Sequence, residues 1–339
     1  MIEIEHLKMD SQRYVSIGDG NVYLVKHDPL DEYDAVLSDM IDHDEIPSFD
    51  HVTRIQFEGA EAYSITYQEN STDTYSDDDV YFTHRSGKNL PLDPSRVDSY
   101  LRSITDLDPI NYVSYHVTDE ELQAYGLDAP ELTVTVDYTA EGEDGEETAD
   151  TFVLYVSPDP EDVKAAEEAE DDDQEAEISA YIRVGESQII YKISSSSYKK
   201  LAAASYNDLR HPEVMWADFS DVQQIDISLE GNRCTLTSEK DGDDRTWSDQ
   251  DREEVEITDL QSALEALSAD EFTDEQPAQK EEIGLTIHLD RENIPQVEIK
   301  LYRYDGSRCL AVVDGESVSL VDRAAVVDLI EAVHAIVLD

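Results

Sequence analysis

Self-similarity among strand-like segments constrains the fold of this chain more than any other feature. YVSIGDGNVYLV (Tyr14–Val25) and YIRVGESQIIYKI (Tyr181–Ile193) share one pattern: an alternating strand, a turn centred on a glycine (Gly18, Gly185) and a second alternating strand. That pattern reads as a β-hairpin. CLAVVDGESVSLV (Cys309–Val321) is a third, weaker copy. Behind each hairpin comes a segment with apolar residues at three-to-four spacing, which predicts a helix with one buried face. The residues are Leu30, Tyr33, Leu37 and Ile41, then Tyr198, Leu201 and Ala204, then Val326, Leu329, Ile330 and Val333.

The likeness extends well beyond the hairpins. FDHVTRIQF (Phe49–Phe57) aligns with FSDVQQIDI (Phe219–Ile227), YSIT (Tyr63–Thr66) with CTLT (Cys234–Thr237), and Val80-Tyr81-Phe82 with Arg245-Thr246-Trp247. A helical segment follows in each case, SRVDSYLRSITDL (Ser95–Leu107) and TDLQSALEALSA (Thr258–Ala269), with Ser95 and Thr258 standing where N-caps belong. LTVTVDY (Leu132–Tyr138) then matches LTIHLDR (Leu285–Arg291), and FVLYVS (Phe152–Ser157) matches VEIKLYR (Val297–Arg303).

The fold expected from this pattern is α+β: antiparallel sheets with helices packed on one face, built from an internally repeated unit. Residues 49–215 form repeat unit 1 and residues 216–339 a divergent repeat unit 2. IEIEHLK (Ile2–Lys8) resembles VEIKLYR, so residues 1–48 read as a partial N-terminal repeat, hairpin plus helix; a front half lying upstream is the preferred reading, and completion of one of the later sheets by this fragment is the other. One segment breaks the pattern. Residues 157–179, SPDPEDVKAAEEAEDDDQEAEIS, are acidic and rich in Ala and Glu, and read as a long solvated insertion.

Charge narrows the partners. With 81 Asp and Glu against 24 Lys and Arg, the formal net charge is -57. Such a field repels nucleic acid and anionic membrane surfaces, and favours cationic proteins or cations. A solvated exterior or adaptation to a salty medium explains the same composition. Cys234 and Cys309 are the only cysteines, so there is no disulfide framework. Both fall on predicted strands, where two separate thiols are the preferred reading and a single bridge stays open. No run approaches the ~18 apolar residues needed to span a bilayer, and Met1-Ile2-Glu3-Ile4-Glu5 is no signal peptide, so the chain as given reads as soluble.

No catalytic constellation emerges. Carboxylates are too numerous for any pair to nominate an acid and a base. There is no G-x-S-x-G elbow and no G-x-G-x-x-G, and RSGKN (Arg85–Asn89) lacks the upstream glycine spacing of a phosphate loop. The densest cluster, DHDEIPSFDH (Asp42–His51), offers His43, Asp44 and His51 to a divalent cation, with Asn207, Asp208 and His211 in a comparable place in the chain. Its spacing matches no established zinc site, so neither a metal nor a cofactor is expected. Asp171, Asp172 and Asp173 lack the spaced ligands and glycine of a calcium loop. His84 and His288 fall on strands, facing solvent or hydrogen-bonded. Tyr63 and Tyr67, Tyr112 and Tyr115, and Tyr302 and Tyr304 alternate as core aromatics do on strands, and a platform for glycan or peptide is the competing reading. Asn70–Thr72 is a lone glycosylation sequon.

YGLDAP (Tyr125–Pro130) followed by an alternating strand, then YIRVGESQIIYKI, a helix and NDLRHP (Asn207–Pro212), resembles the uncharacterised domain of unknown function 4340 family over about residues 50–215. The junction also has a physical reading: Gly126 permits a sharp turn after a helix, Leu127 is buried, and Pro130 stiffens the start of the strand. IGLTIHLD (Ile283–Asp290) in the second unit keeps the Gly-Leu and loses the Tyr and the Asp-x-Pro. The resemblance implies a bacterial extracytoplasmic protein with an N-terminal membrane anchor, absent from this chain, associated with ABC-type transporters. It carries over no catalytic residues. The function expected is therefore a non-enzymatic protein-interaction module within such a complex. The alternative is a ligand-binding protein for glycan or cations, through tyrosine-rich strands or acidic loops. Self-repulsion also makes a solution prediction. Raising salt from about 10 mM to about 150 mM shortens the Debye length from about 30 Å to about 8 Å, and the thermal midpoint should rise, as calorimetry would show.

Overall fold

The computed structural model describes residues 13–15, 20–25, 40–141, 146–168, 176–241, 244–251 and 253–337. It contains two nine-stranded antiparallel sheets and several helices, an α+β fold. The first sheet uses β3 (His51–Gly59), β4 (Tyr63–Tyr67), β5 (Tyr81–Arg85), β6 (Lys88–Pro91), β7 (Tyr112–Ser114), β8 (Leu132–Glu141), β9 (Glu147–Pro158), β10 (Ala180–Val184) and β11 (Ile190–Ile193). The second uses β12 (Val222–Leu229), β13 (Asn232–Asp241), β14 (Asp244–Ser248), β15 (Glu254–Val255), β16 (Ala269–Phe272), β17 (Glu281–Leu289), β18 (Gln296–Arg303), β19 (Arg308–Val313) and β20 (Glu316–Asp322). The spatial orders are β6-β5-β4-β3-β8-β9-β10-β11-β7 and β15-β14-β13-β12-β17-β18-β19-β20-β16. Counted along the chain, the two orders are the same. The short hairpin of β1 (Arg13–Val15) and β2 (Tyr23–Val25) pairs as expected, whereas IEIEHLK, Gly18, Leu30, Tyr33, Leu37 and Asp171–Asp173 lie outside the described residues.

Register follows the period-two pattern. Ile65, Ile55, Val136 and Phe152 stand opposite one another across β4, β3, β8 and β9. In the second sheet Leu236, Ile225, Ile287 and Val297 make the corresponding row. All eight are buried. A slip of one residue would move a whole row to the wet face, so each register is firmly specified.

The helices cover these buried faces. In α1 (Pro94–Thr105), Val97, Tyr100, Leu101 and Ile104 join the first core, as does Leu201 of α4 (Ser195–Ala202). In α6 (Thr258–Glu265), Leu260, Ala263 and Leu264 join the second core, with Val326, Leu329 and Val333 of α7 (Arg323–Val337). The caps correct the sequence reading. Asp93, not Ser95, caps α1 by accepting from the Ser95 and Arg96 amides, with Pro94 as the first helical residue. Thr258 is the first residue of α6 rather than its cap, and Glu256 accepts from its amide and hydroxyl.

The acidic insertion leaves the sheet between strands that remain paired, Ala180 opposite Pro158 and Ile182 opposite Val156. It contains α3 (Pro160–Glu168), which buries no residue. Its base departs from the expectation of a wholly solvated segment. Asp159 is buried and accepts from the Tyr181 hydroxyl (2.8 Å) and the Lys192 ammonium (2.6 Å). Burial works to raise its pKa, but the Lys192, Glu161 amide and Tyr181 hydrogen bonds hold it below the usual carboxylate range.

The YGLDAP junction closes α2 (Asp119–Ala124), whose start carries a capping box between Thr118 and Glu121. Gly126 has φ +72°, and the Ser157 hydroxyl donates to its carbonyl at 2.7 Å. Leu127 is buried behind it. Gly126→Ala puts a Cβ into left-handed backbone 3.4 Å from the Ser157 Cβ. It should lower the unfolding free energy by about 1–2 kcal/mol, measurable by urea denaturation.

Candidate functional site

The loop from β4 to β5 carries Thr74, Tyr75 and Asp79, and the segment after α5 (Tyr206–Leu209) carries His211, Glu213 and Trp216. These two stretches meet where the first sheet's elements reach the second core. Tyr75 is buried in that core beside Val214 and Met215. The Val214 amide donates to the Leu267 carbonyl and the Ala269 amide to the Pro212 carbonyl, binding the segment to the second half of the chain.

At the centre sits the Asp79 carboxylate, 2% exposed. It accepts from the Thr74 hydroxyl (2.5 Å) and the Trp216 indole N–H (3.0 Å), and pairs with Nε2 of His211 (2.8 Å). The His211 imidazole lies flat on Trp216, with ring centroids 4.3 Å apart and planes 6° apart. A buried carboxylate survives only with such partners, and here three of them converge on it. Asp93, at the start of α1, and Glu213 complete the group: one potential ligand atom each from Asp93, His211 and Glu213 lie within 4.8 Å of one another.

The sequence-predicted positions distribute otherwise. Asp44 accepts from the Ser187 hydroxyl (2.6 Å) and the Tyr191 hydroxyl (3.0 Å), fastening its segment to the β10–β11 hairpin. The His43 ring lies tilted against Tyr191, with centroids 5.9 Å apart, and His51 meets the Tyr67 ring edge-on at 4.7 Å. His43, Asp44 and His51 therefore do not converge. Of Asn207, Asp208 and His211, only His211 reaches the cluster; Asp208 forms a capping box with Ser205, and Asn207 is exposed. His288 pairs with Asp226 (2.8 Å), and His84 is exposed. Asp226 is also held below the usual range: burial opposes this, and hydrogen bonds from Thr235, His288 and Gln224 prevail.

The tyrosines form no single row. Tyr63 stacks on Phe57 inside the first core and donates to the Ala204 carbonyl, and burial raises its pKa. Tyr112 and Tyr115 meet edge-on at the β7 end of the first sheet. Tyr302 and Tyr304 lie against Leu310, Val312 and Leu320. Asn70 is exposed at a positive-φ turn. Cys234 and Cys309 are both free, and burial first, then the Glu282 carboxylate, push the Cys309 thiol up to about 12.

Sequence reasoning reached His211 through NDLRHP but had no means of finding Asp79, which sits in an acidic run, Asp77-Asp78-Asp79, unlike its neighbours only in burial. Among the described residues no helix is long and apolar enough to cross a membrane. A family profile described as Domain of unknown function (DUF4340) matches residues 83–286, starting in β5 and ending in β17. The match thus runs further into the second half of the chain than the resemblance over residues 50–215. No curated protein and no solved structure matches the chain. Asp79→Ala strips the partner from the Trp216 N–H, the Thr74 hydroxyl and His211 in a buried place. It should lower the unfolding free energy by roughly 2–4 kcal/mol, read from urea denaturation followed by tryptophan fluorescence.

Proposed function

The chain belongs to the family described as Domain of unknown function (DUF4340), and from that premise we propose that it is a non-catalytic protein-interaction module built from two copies of one repeated unit. Its place in this reading is outside the cytoplasm, in a membrane-anchored complex associated with a transporter. The matched strand orders and the matched core rows support the repeat. The partner in this reading is another protein, since the net charge of -57 disfavours nucleic acid and anionic lipid.

The observation that carries the proposal is the edge strand β7. Among the described residues it pairs with β11 on one side and ends the sheet on the other. Ile110, Val113 and Tyr115 lie in or beside it with 37–54% of their surface exposed. Sheet edges in soluble proteins are usually guarded by charge, proline or a covering element. Here the stretch Ile110–Tyr115 carries no charged residue, in a chain where acidic residues outnumber basic ones 81 to 24. An uncharged, apolar edge suits addition of a partner strand, in which backbone hydrogen bonds supply affinity and side-chain contacts supply selectivity.

A photo-crosslinking amino acid at Val113, in the natural full-length protein in its own cells, tests this directly. The expected result is an adduct with a membrane-transporter component from position 113 and none from Gln56, a polar position on β3. Adducts from neither position, or equally from both, would overturn the proposal.

A further inference from the structure

The group around His211 has the arrangement of a metal site with its supporting carboxylate already in place. The His211 side chain is only 10% exposed, and its two ring nitrogens have different surroundings. Nε2 meets Asp79, itself fixed by Thr74 and Trp216. Nδ1 has no hydrogen-bond partner among the described residues, and a Glu213 carboxylate oxygen stands 3.9 Å from it. Ligand histidines characteristically donate one ring N–H to a carboxylate, which fixes the tautomer and leaves the other nitrogen bare for the ion. Asp79 plays that part here. Stacking on Trp216 holds the ring in plane, so the imidazole is oriented by two independent contacts.

The charge balance points the same way. Asp79, Asp93 and Glu213 place three carboxylates around one imidazole, and Arg96 is a nearby cation, its Nε 3.6 Å from Asp93. Asp93 Oδ1 caps α1 through the Ser95 and Arg96 amides, leaving Oδ2 facing that guanidinium. Donor atoms sharing an ion at about 2.1 Å stand at most about 4.2 Å apart. The observed limit of 4.8 Å therefore closes with a side-chain movement of about half an ångström. Glu213 is 39% exposed and leaves a path from solvent.

We propose that Asp93, His211 and Glu213 bind a divalent first-row transition-metal ion of the zinc type, with Asp79 as the positioning residue and water completing the coordination. One nitrogen and two carboxylate ligands suit such an ion better than the all-oxygen shells of Mg²⁺ or Ca²⁺. The ion would tie the start of α1 to the segment that leads from the first sheet into the second, acting as a structural clamp on that segment.

The test is calorimetric titration of the chelator-stripped full chain with Zn²⁺, in excess Mg²⁺ to occupy the diffuse carboxylates. The expected result is one Zn²⁺ per chain that Mg²⁺ does not displace, a raised thermal midpoint, and Co²⁺ spectra showing a nitrogen ligand. Glu213→Gln, at a partly exposed position, should keep the fold and weaken Zn²⁺ binding at least tenfold. Asp79→Asn should weaken it 10- to 100-fold, and Glu256→Gln, at an exposed position remote in the chain, should leave it unchanged. His211→Gln should abolish the nitrogen signature; if it does not fold, Glu213→Gln decides. Weak binding at many sites that Mg²⁺ displaces, or tight binding that Glu213→Gln leaves intact, would sink the proposal.

Discussion

The rows Ile65-Ile55-Val136-Phe152 and Leu236-Ile225-Ile287-Val297 bury one face of each sheet against helices, and the opposite face is largely polar, apart from a small buried cluster of Leu310, Val312 and Leu320 on the second sheet. That one-sided burial is the constraint on which the rest depends. Antiparallel strands tolerate it because alternate residues point to opposite faces. Helices are then needed on one side only, and α1 with α4 and α6 with α7 supply them. The wet face is free to be polar, and Gln224, Asp226, Thr235 and His288 form a hydrogen-bonded group there.

A chain carrying this much like charge must still hold its two halves together. Basic residues at the seam do part of that work. Arg291 bridges Asp77 of the β4–β5 loop and Asp221 beside the second sheet. Those contacts, Asp77 foremost, raise its pKa despite partial burial. Arg210 lies over the Phe272 ring. Lys88 reaches Glu316, but both side chains are mostly exposed, and pairs of that kind contribute little. The weight falls on the buried contacts: Tyr75 in the second core, and Asp79 among Thr74, Trp216 and His211.

What was legible in the sequence was what periodicity and turn chemistry write locally. Alternation located the strands, and glycine-centred turns located the hairpins at Gly185 and Asp314-Gly315, where positive φ is realised. Helix faces such as Leu201 and Val326-Leu329-Val333 were visible because three-to-four spacing is a local signal. Caps shifted by one or two residues because Asp93 and Ser95 are both good cap chemistry, and Pro94 decides between them by occupying the first helical position. The Asp79–His211 pair was illegible because its members lie 132 residues apart. Only burial separates Asp79 from the carboxylates beside it. Asp159 was hidden in the same way, its partners Tyr181 and Lys192 lying on strands beyond the insertion.

The insertion between β9 and β10 shows how such a sheet gains sequence without losing order. Its two ends are neighbours in the ladder, and Asp159 and Asp162 clasp them through Lys192, Tyr181 and Ser179. Loop closure depends only weakly on length once the ends are fixed. The exposed surface of α3, which buries no residue, is thus a natural attachment point, where a fluorescent protein or an affinity epitope could be carried without disturbing strand pairing.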